Sequence, residues 1–281
     1  MTAVRILYFS DLHIEIQERE TAAPWSDTLP LGFGPELSKL VGAADLLILA
    51  GDIGRVRSRR NVSPLSYARQ AADFLGCRVV LVPGNHEYYR GCFEQDRAAM
   101  LATRDPSVTV LDRGEATIAR AGAPLRILGA TLWTDYAVTG NPASAMAVAE
   151  REIYDHRLIR RSEGSAPFSP ADALAEHRLS RAWLIRKLTE PRDWSTLVVT
   201  HHVPHSAARH PGHGLNELAP AFCSDCDDLV EAASAAGVAA WIFGHHHWSL
   251  ATETHGVRLL SAQLGYPGEV TGWTGPGYLE I

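Results

Sequence analysis

Leu46-Leu47-Ile48-Leu49-Ala50-Gly51-Asp52 is the stretch on which the reading of this chain turns. A short apolar run rich in branched side chains reads as a strand buried on both faces. It stops at Gly51. Asp52 then falls just past the strand's carboxyl end, where open α/β sheets place their ligands. A carboxylate delivered there, beside a rigid core, is placed to hold a cation. Alone, it reads first as a turn aspartate that caps a helix or closes a loop.

It is not alone. Val4 to Phe9 run into Ser10-Asp11-Leu12-His13, and Arg78 to Val82 run into Pro83-Gly84-Asn85-His86-Glu87. Thr196 to Thr200 lead to His201-His202, and Ala239 to Phe243 lead to Gly244-His245-His246-His247. Each cluster carries Asp, Asn or His, the donors that Mn, Fe and Zn accept. Asp11 and His13 are two apart on an extended segment, so both can reach one ion. The same alternation lets His245 and His247 face one site while His246 faces away. Asn85 offers a neutral oxygen. His86, its neighbour, is better placed as a proton donor or positive clamp beside a substrate, and Glu87 as a group that orients a ligand from behind. Between His201 and His202 the residues alone leave the choice open.

The bulk composition narrows the classes. The 281 residues suffice for a full core. A net charge of −6 argues against sequence-independent binding to a nucleic-acid backbone, which needs a basic face. The one dense basic run, Arg55-Val56-Arg57-Ser58-Arg59-Arg60, reads as a solvated loop or as an attractor of anions to the Asp52 site. No apolar run is long enough to span a membrane, and the amino terminus has no signal-peptide pattern. Four cysteines do not make a disulfide scaffold. Cys223-Ser224-Asp225-Cys226 lacks the second pair that a zinc clip needs. These features predict reduced thiols and a cytoplasmic location.

Taken in order, residues 14 to 35 read as a long irregular loop, with Trp25 packing it down, and Glu36 to Val41 as a short helix. Ser63-Pro64 is a helix start for a helix running to Leu75, and Phe93 to Thr103 read as helical. Val108 to Leu111, Ala116 to Ala119 and Leu125 to Thr131 read as short strands in a meander or hairpin. Trp133-Thr134-Asp135 reads as a buried Trp with a turn Asp, or else as a pocket wall. Residues 144 to 190 are the most helical segment, with a capping signal at Ser169 to Asp172 and a solvated face at Arg157, Arg160 and Arg161. His205, His210 and His213 read as pocket lining or solvated. Asp227 to Ala236 read as a helix, and Leu250 to Ile281 as two or three strands. No linker or repeat divides the chain, so residues 1–281 are expected to form a single domain.

The five clusters, in this order, resemble the calcineurin-like metallophosphoesterases, whose pattern is D-x-H, G-D, G-N-H-[D/E], H and G-H-x-H. Here these are Asp11-Leu12-His13, Gly51-Asp52, Gly84-Asn85-His86-Glu87, Thr200-His201 and Gly244-His245-His246-His247. The resemblance implies an α/β fold, a four-layer α-β-β-α sandwich of two mixed sheets with the metal site at the strand carboxyl ends. It implies one ion on Asp11, His13, Asp52 and His247 and a second on Asp52, Asn85, His201 and His245, with Asp52 shared. Two metals (Mn, Fe or Zn) about 3.5–4 Å apart would polarise both sides of an in-line displacement. A bridging hydroxide would attack phosphorus, and His86 would steady the developing charge or protonate the departing oxygen.

Two departures matter. Purple acid phosphatases carry Tyr three residues after the shared acid, where this chain has Arg55. Protein Ser/Thr phosphatases continue G-D-x-x-D-R-G, where this chain reads Gly51-Asp52-Ile53-Gly54-Arg55-Val56-Arg57. Neither a ferric–tyrosinate colour nor a protein-phosphatase role is expected. The implied activity is hydrolysis of a small phosphoester, diester favoured over monoester. The loops at 14–35, 133–142 and 203–220 are expected to choose the substrate. The alternatives are a non-catalytic interaction scaffold on the same fold and, disfavoured by charge, a nuclease.

Overall fold

The computed structural model describes residues 3–21, 40–58, 62–119, 124–191, 193–212 and 214–281. The reading of Trp25, most of the loop at 14–35, the start of the Glu36–Val41 helix, Arg59, Arg60 and His213 therefore falls outside the described residues.

The buried apolar runs become strands in two sheets. In the first, β1 (Arg5–Phe9), β2 (Leu46–Leu49), β3 (Arg78–Leu81) and β4 (Val108–Val110) are parallel neighbours, and β11 (Gly277–Glu280) closes the β1 edge antiparallel. The second has the order β5 (Gly114–Ile118), β6 (Leu125–Ala130), β7 (Ser195–Thr200), β8 (Val238–Ile242), β10 (Val257–Ser261), β9 (Leu250–Thr254). Its four inner strands are parallel and both edges antiparallel.

Period-two alternation decides which residues join the sheets. Leu197 and Val199 of β7 share a core cluster with Leu46–Leu49 of the first sheet, so they face inward between the sheets. Val198, between them, belongs to a second cluster with Leu184, Leu188, Leu229 and Val230. Those four residues lie on the long helix Pro170–Thr189 and on Asp227–Ala235, which cover the outer face. On the other side, helix Pro64–Leu75 lays Tyr67, Ala68, Ala71 and Leu75 on the first sheet. The layers are thus helix, sheet, sheet, helix.

The helix signals hold where a cap is written locally. Ser63 and Ser66 form a reciprocal capping box at Pro64, and Gly76 ends that helix at φ 68°. Ser169 and Asp172 do the same at Pro170. Two expectations change. The first turns of the 14–35 segment are a helix, Ile14–Thr21, started by the Gln17 amide donating to the His13 carbonyl at 3.0 Å. The strands of residues 108–131 do not form one meander. β4 pairs parallel to β3, and the chain crosses to the other sheet before β5 and β6 form their hairpin. The partner of β4 is set by burial against β3, which a local pattern does not encode.

Candidate metal centre

All seven residues expected to bind metal come together at the carboxyl ends of the parallel strands. Asp11, His13, Asp52 and Asn85 leave β1, β2 and β3 of the first sheet, and His201, His245 and His247 leave β7 and β8 of the second. The loops are tied across the sheets. The His201 ring donates from Nδ1 to the Ala50 carbonyl at 2.8 Å, and the Gly244 amide donates to the His201 carbonyl at 2.9 Å. The His245 amide donates to Asp11 at 3.0 and 3.1 Å.

The donors form two groups on either side of Asp52. On one side His13 Nε2 and His247 Nε2 lie 2.8 Å apart, with Asp11 Oδ1 3.9 and 3.6 Å from them. Asp52 Oδ2 is 3.9 Å from His13 Nε2. On the other, His201 Nε2 lies 3.3 Å from Asp52 Oδ1 and 3.1 Å from Asn85 Oδ1. His201, His202 and His245 place one ligand atom each within 4.8 Å of one another. Asp52 therefore turns one oxygen to each group.

Five of the seven occupy the left-handed backbone region: Asp11 at φ 57°, His13 at 46°, Asp52 at 53°, His245 at 81° and His247 at 51°. Such residues cost of order 1–3 kcal/mol each and persist only where the surroundings impose them. The glycines leave room for the cluster. A Cβ on Gly84 would stand 2.2 Å from Asp52 Oδ1 and 2.7 Å from His201 Nε2, and one on Gly51 2.4 Å from His201 Nδ1.

Outer contacts fix which atom each ligand presents. Asn85 donates its amide nitrogen to Asp155 Oδ1 at 2.8 Å, and Tyr89 donates its hydroxyl to the same oxygen at 2.7 Å. A carboxylate accepts only from the NH2 side, so the Asn85 oxygen must face the cluster. His247 meets Glu269 Oε2 through Nδ1 at 2.6 Å, leaving Nε2 for the centre. Glu87 accepts the amides of Asp52, Ile53 and Gly84 at 3.0, 2.9 and 2.7 Å, stapling two loops. Burial, and then Asp52, push its carboxyl up to about 8.

The electrostatics divide the donors into charged and neutral groups. Burial works to raise the Asp52 carboxyl, but His201, His86 and His13 together outweigh it and hold it well below the carboxylate range. Burial opposes the charge on His201, yet Asp52 prevails and lifts it to about 10. Burial and neighbouring imidazoles keep His13 and His245 far below the usual value, so both rings offer lone pairs. Oxygen and imidazole donors, buried, with their second ring nitrogens occupied, fit a borderline divalent cation.

His86 stands beside the cluster as expected. Its backbone amide donates to Asp52 Oδ1 at 2.9 Å. Its Nδ1 meets Glu15 Oε1 at 2.8 Å, Nε2 meets the Tyr266 hydroxyl at 3.1 Å, and the ring stacks on Tyr89 at 3.9 Å. His246 turns away, held by the Ala208 carbonyl and Gln263. His202 packs, tilted, against Trp133 and His245. Trp133 is 2 % exposed and packs with Phe93 and Phe168, so the buried reading holds rather than the pocket wall. The Arg55–Arg60 run is no open basic patch in its described part: Arg55 lies 3.8 Å from Glu15, and Arg57 meets Asp96 at 2.8 Å. Glu15, Asp155, Glu269, Tyr89 and Tyr266 were not anticipated.

A cavity of about 450 Å³ opens from this cluster, lined at one end by Asp52, Asn85, His86, His245 and His247. Residues 152–155, with Arg209, His210, Leu215, Asn216, Leu218, Ala219, Phe222 and Cys223, form much of its wall, whereas 133–142 do not touch it. Among the described residues no helix is long and apolar enough to cross a membrane.

The sequence profile of the calcineurin-like phosphoesterases matches residues 4–249. The chain belongs to this family. Calcineurin-like phosphoesterases are metal-dependent hydrolases of phosphoester bonds, and the buried His/Asp clusters of this member are suited to metal. Its fold is similar to that of phosphopantetheinyl hydrolase from Mycobacterium tuberculosis, at 18% identity and a TM-score of 0.67, over 98% of this chain and 95% of that one. A putative 5'-nucleotidase from Staphylococcus aureus shares 13% identity at a TM-score of 0.54, over 94% of this chain and 49% of that one. GAP50, the anchor in the inner membrane complex of Plasmodium, shares 10% at 0.51, over 94% and 72%. No curated protein matches the sequence.

Proposed function

We propose that this calcineurin-like phosphoesterase is a dinuclear-metal hydrolase of small phosphoesters, with a preference for diesters. Asp11, His13, Asp52 and His247 would hold one ion, and Asp52, Asn85, His201 and His245 the other. The observation that carries the reading is Asp52, with one oxygen toward each of two donor groups, each assembled from both sheets. Two bound cations would supply Lewis-acid polarisation of the phosphoryl oxygens and acidify a water to serve as nucleophile near neutral pH.

The chain's own residues supply the rest. Glu15 anchors His86 through Nδ1, so Nε2 faces the cavity and can donate to a phosphoryl oxygen or to the departing group. Asp52 and Glu15 more than offset the burial that would otherwise keep this ring neutral, and its affinity for a proton is raised. Tyr266 adds a hydroxyl at the same place. Asp155 holds Asn85 in its oxygen-inward orientation.

The diester preference rests on charge. Arg209 is the one arginine lining the cavity among the described residues, and no lysine does so, which suits a monoanion better than a dianion. All four cysteines are free thiols, in keeping with a cytoplasmic protein. Core contacts that run between both sheets favour residues 1–281 acting as one domain.

Rates on bis-p-nitrophenyl and p-nitrophenyl phosphate with Mn²⁺, Fe²⁺ or Zn²⁺ test the reading. Turnover of the diester above that of the monoester is expected. Inactivity on both esters with all three metals would return the chain to a scaffold role. The full set of donors speaks against that role.

A further inference from the structure

The cavity holds far more than a phosphoryl group. At about 450 Å³ it equals roughly fifteen water volumes at ~30 Å³ each. Beyond the metal centre much of its wall is apolar, made by Ile153, Tyr154, Leu215, Leu218, Ala219 and Phe222, with Glu152, Arg209, His210 and Asn216 among them. Two of these, Tyr154 at 62% and Leu215 at 51%, are among the most exposed large apolar side chains of the described residues. Both line the cavity, where exposed apolar side chains mark a binding surface.

The wall is continuous with the centre and is held in shape. The Phe222 ring lies 5.2 Å from the His245 imidazole at an interplanar angle of 31°. The turn Ala219–Ala221 is tied down by the Thr134 hydroxyl donating to the Pro220 carbonyl and by His245 Nε2 near the Ala221 carbonyl at 3.4 Å. The Arg157 guanidinium backs the Tyr154 ring at 4.6 Å. The carboxylates of Asp155 and Glu269 are engaged by Asn85 and His247.

Resting on the hydrolase reading above, we propose that the substrate is an amphipathic phosphoester. Its phosphoryl head lies at the metal centre, and an aliphatic or arylalkyl substituent lies along the Phe222–Leu218–Tyr154 wall. This arm selects the substrate.

Alkylphosphonates, whose C–P bond resists hydrolysis, separate binding from turnover. With the Mn²⁺-loaded full chain, calorimetric Kd values across methyl-, butyl- and hexylphosphonate are expected to fall about fourfold per added methylene, the ratio set by ~0.8 kcal/mol of transfer free energy. The exposed-rim variants Tyr154→Asn and Leu215→Asn are expected to flatten this dependence. Leu179→Asn, exposed elsewhere on the long helix, should keep it. Equal Kd values along the series overturn the proposal even if simple diesters are hydrolysed. A chain-length dependence that survives both rim variants overturns it as well. A steep dependence in a protein that hydrolyses no ester retains the apolar arm and removes the hydrolase reading instead.

Discussion

Two histidine–aspartate clusters in this molecule have similar spacing and opposite character. On the surface, His205 Nε2 and His255 Nε2 lie 2.7 and 2.9 Å from Asp227 Oδ1. At the strand ends, the His13, His247, His201 and Asp52 atoms lie at comparable distances. The surface cluster is closed. His205 Nδ1 accepts the Ala207 amide at 3.0 Å, so its proton sits on Nε2 and points at Asp227, leaving no lone pair for an ion. In the buried centre the second nitrogens of His201 and His247 are occupied by Ala50 and Glu269, and their Nε2 atoms are turned inward. Nearness of donors does not suffice for a metal site; lone pairs must also face the ion.

The largest effect expected from perturbing this contrast is that of Asp52→Ala. It removes the carboxylate common to both donor groups. Both ions should be lost by elemental analysis, and diester turnover should fall roughly a thousandfold, the upper end for losing a preorganised electrostatic contact. Asp155→Ala should come next. Freed of its partner, the Asn85 amide can present NH2 to the cluster, and metal affinity should weaken about 10–100-fold by titration. Tyr266→Phe should lower kcat by several-fold, on the scale of one hydrogen bond, with metal content unchanged. Asp227→Asn stands last. Metal stoichiometry and turnover should both match wild type, and a lost ion there would refute the tautomer argument.

Much of the centre was legible in the sequence because each ligand follows a buried strand. The apolar run reports the strand, and its abrupt end reports the position of the next polar residue. The choice of His201 over His202 rests on family resemblance; the His201 ring reaches Asp52 and Asn85, while His202 packs against Trp133 with a ring nitrogen within 4.8 Å of donors on His201 and His245. Glu15, Asp155, Glu269 and Tyr266 were not legible. Each is a single polar side chain in a stretch without periodicity, and its partner lies far away, 70 positions along the chain for Asp155 and Asn85. The segment holding Asp155 read as a solvated helical face, and only the packing of residues 152–155 over the cavity gives it another role. The pairing of β4 escaped for the same reason.

One consequence follows from the division of the donors between sheets. Asp11, His13, Asp52 and Asn85 come from the early part of the chain, whereas His201, His245 and His247 come late. During synthesis on the ribosome, a nascent chain that has not yet emerged through β8 carries both carboxylates but lacks two of the four imidazoles, His245 and His247. Filling of the proposed centre would therefore await synthesis of the loop after β8, and uptake of the ions would serve as a clock for the moment at which the second layer closes on the first.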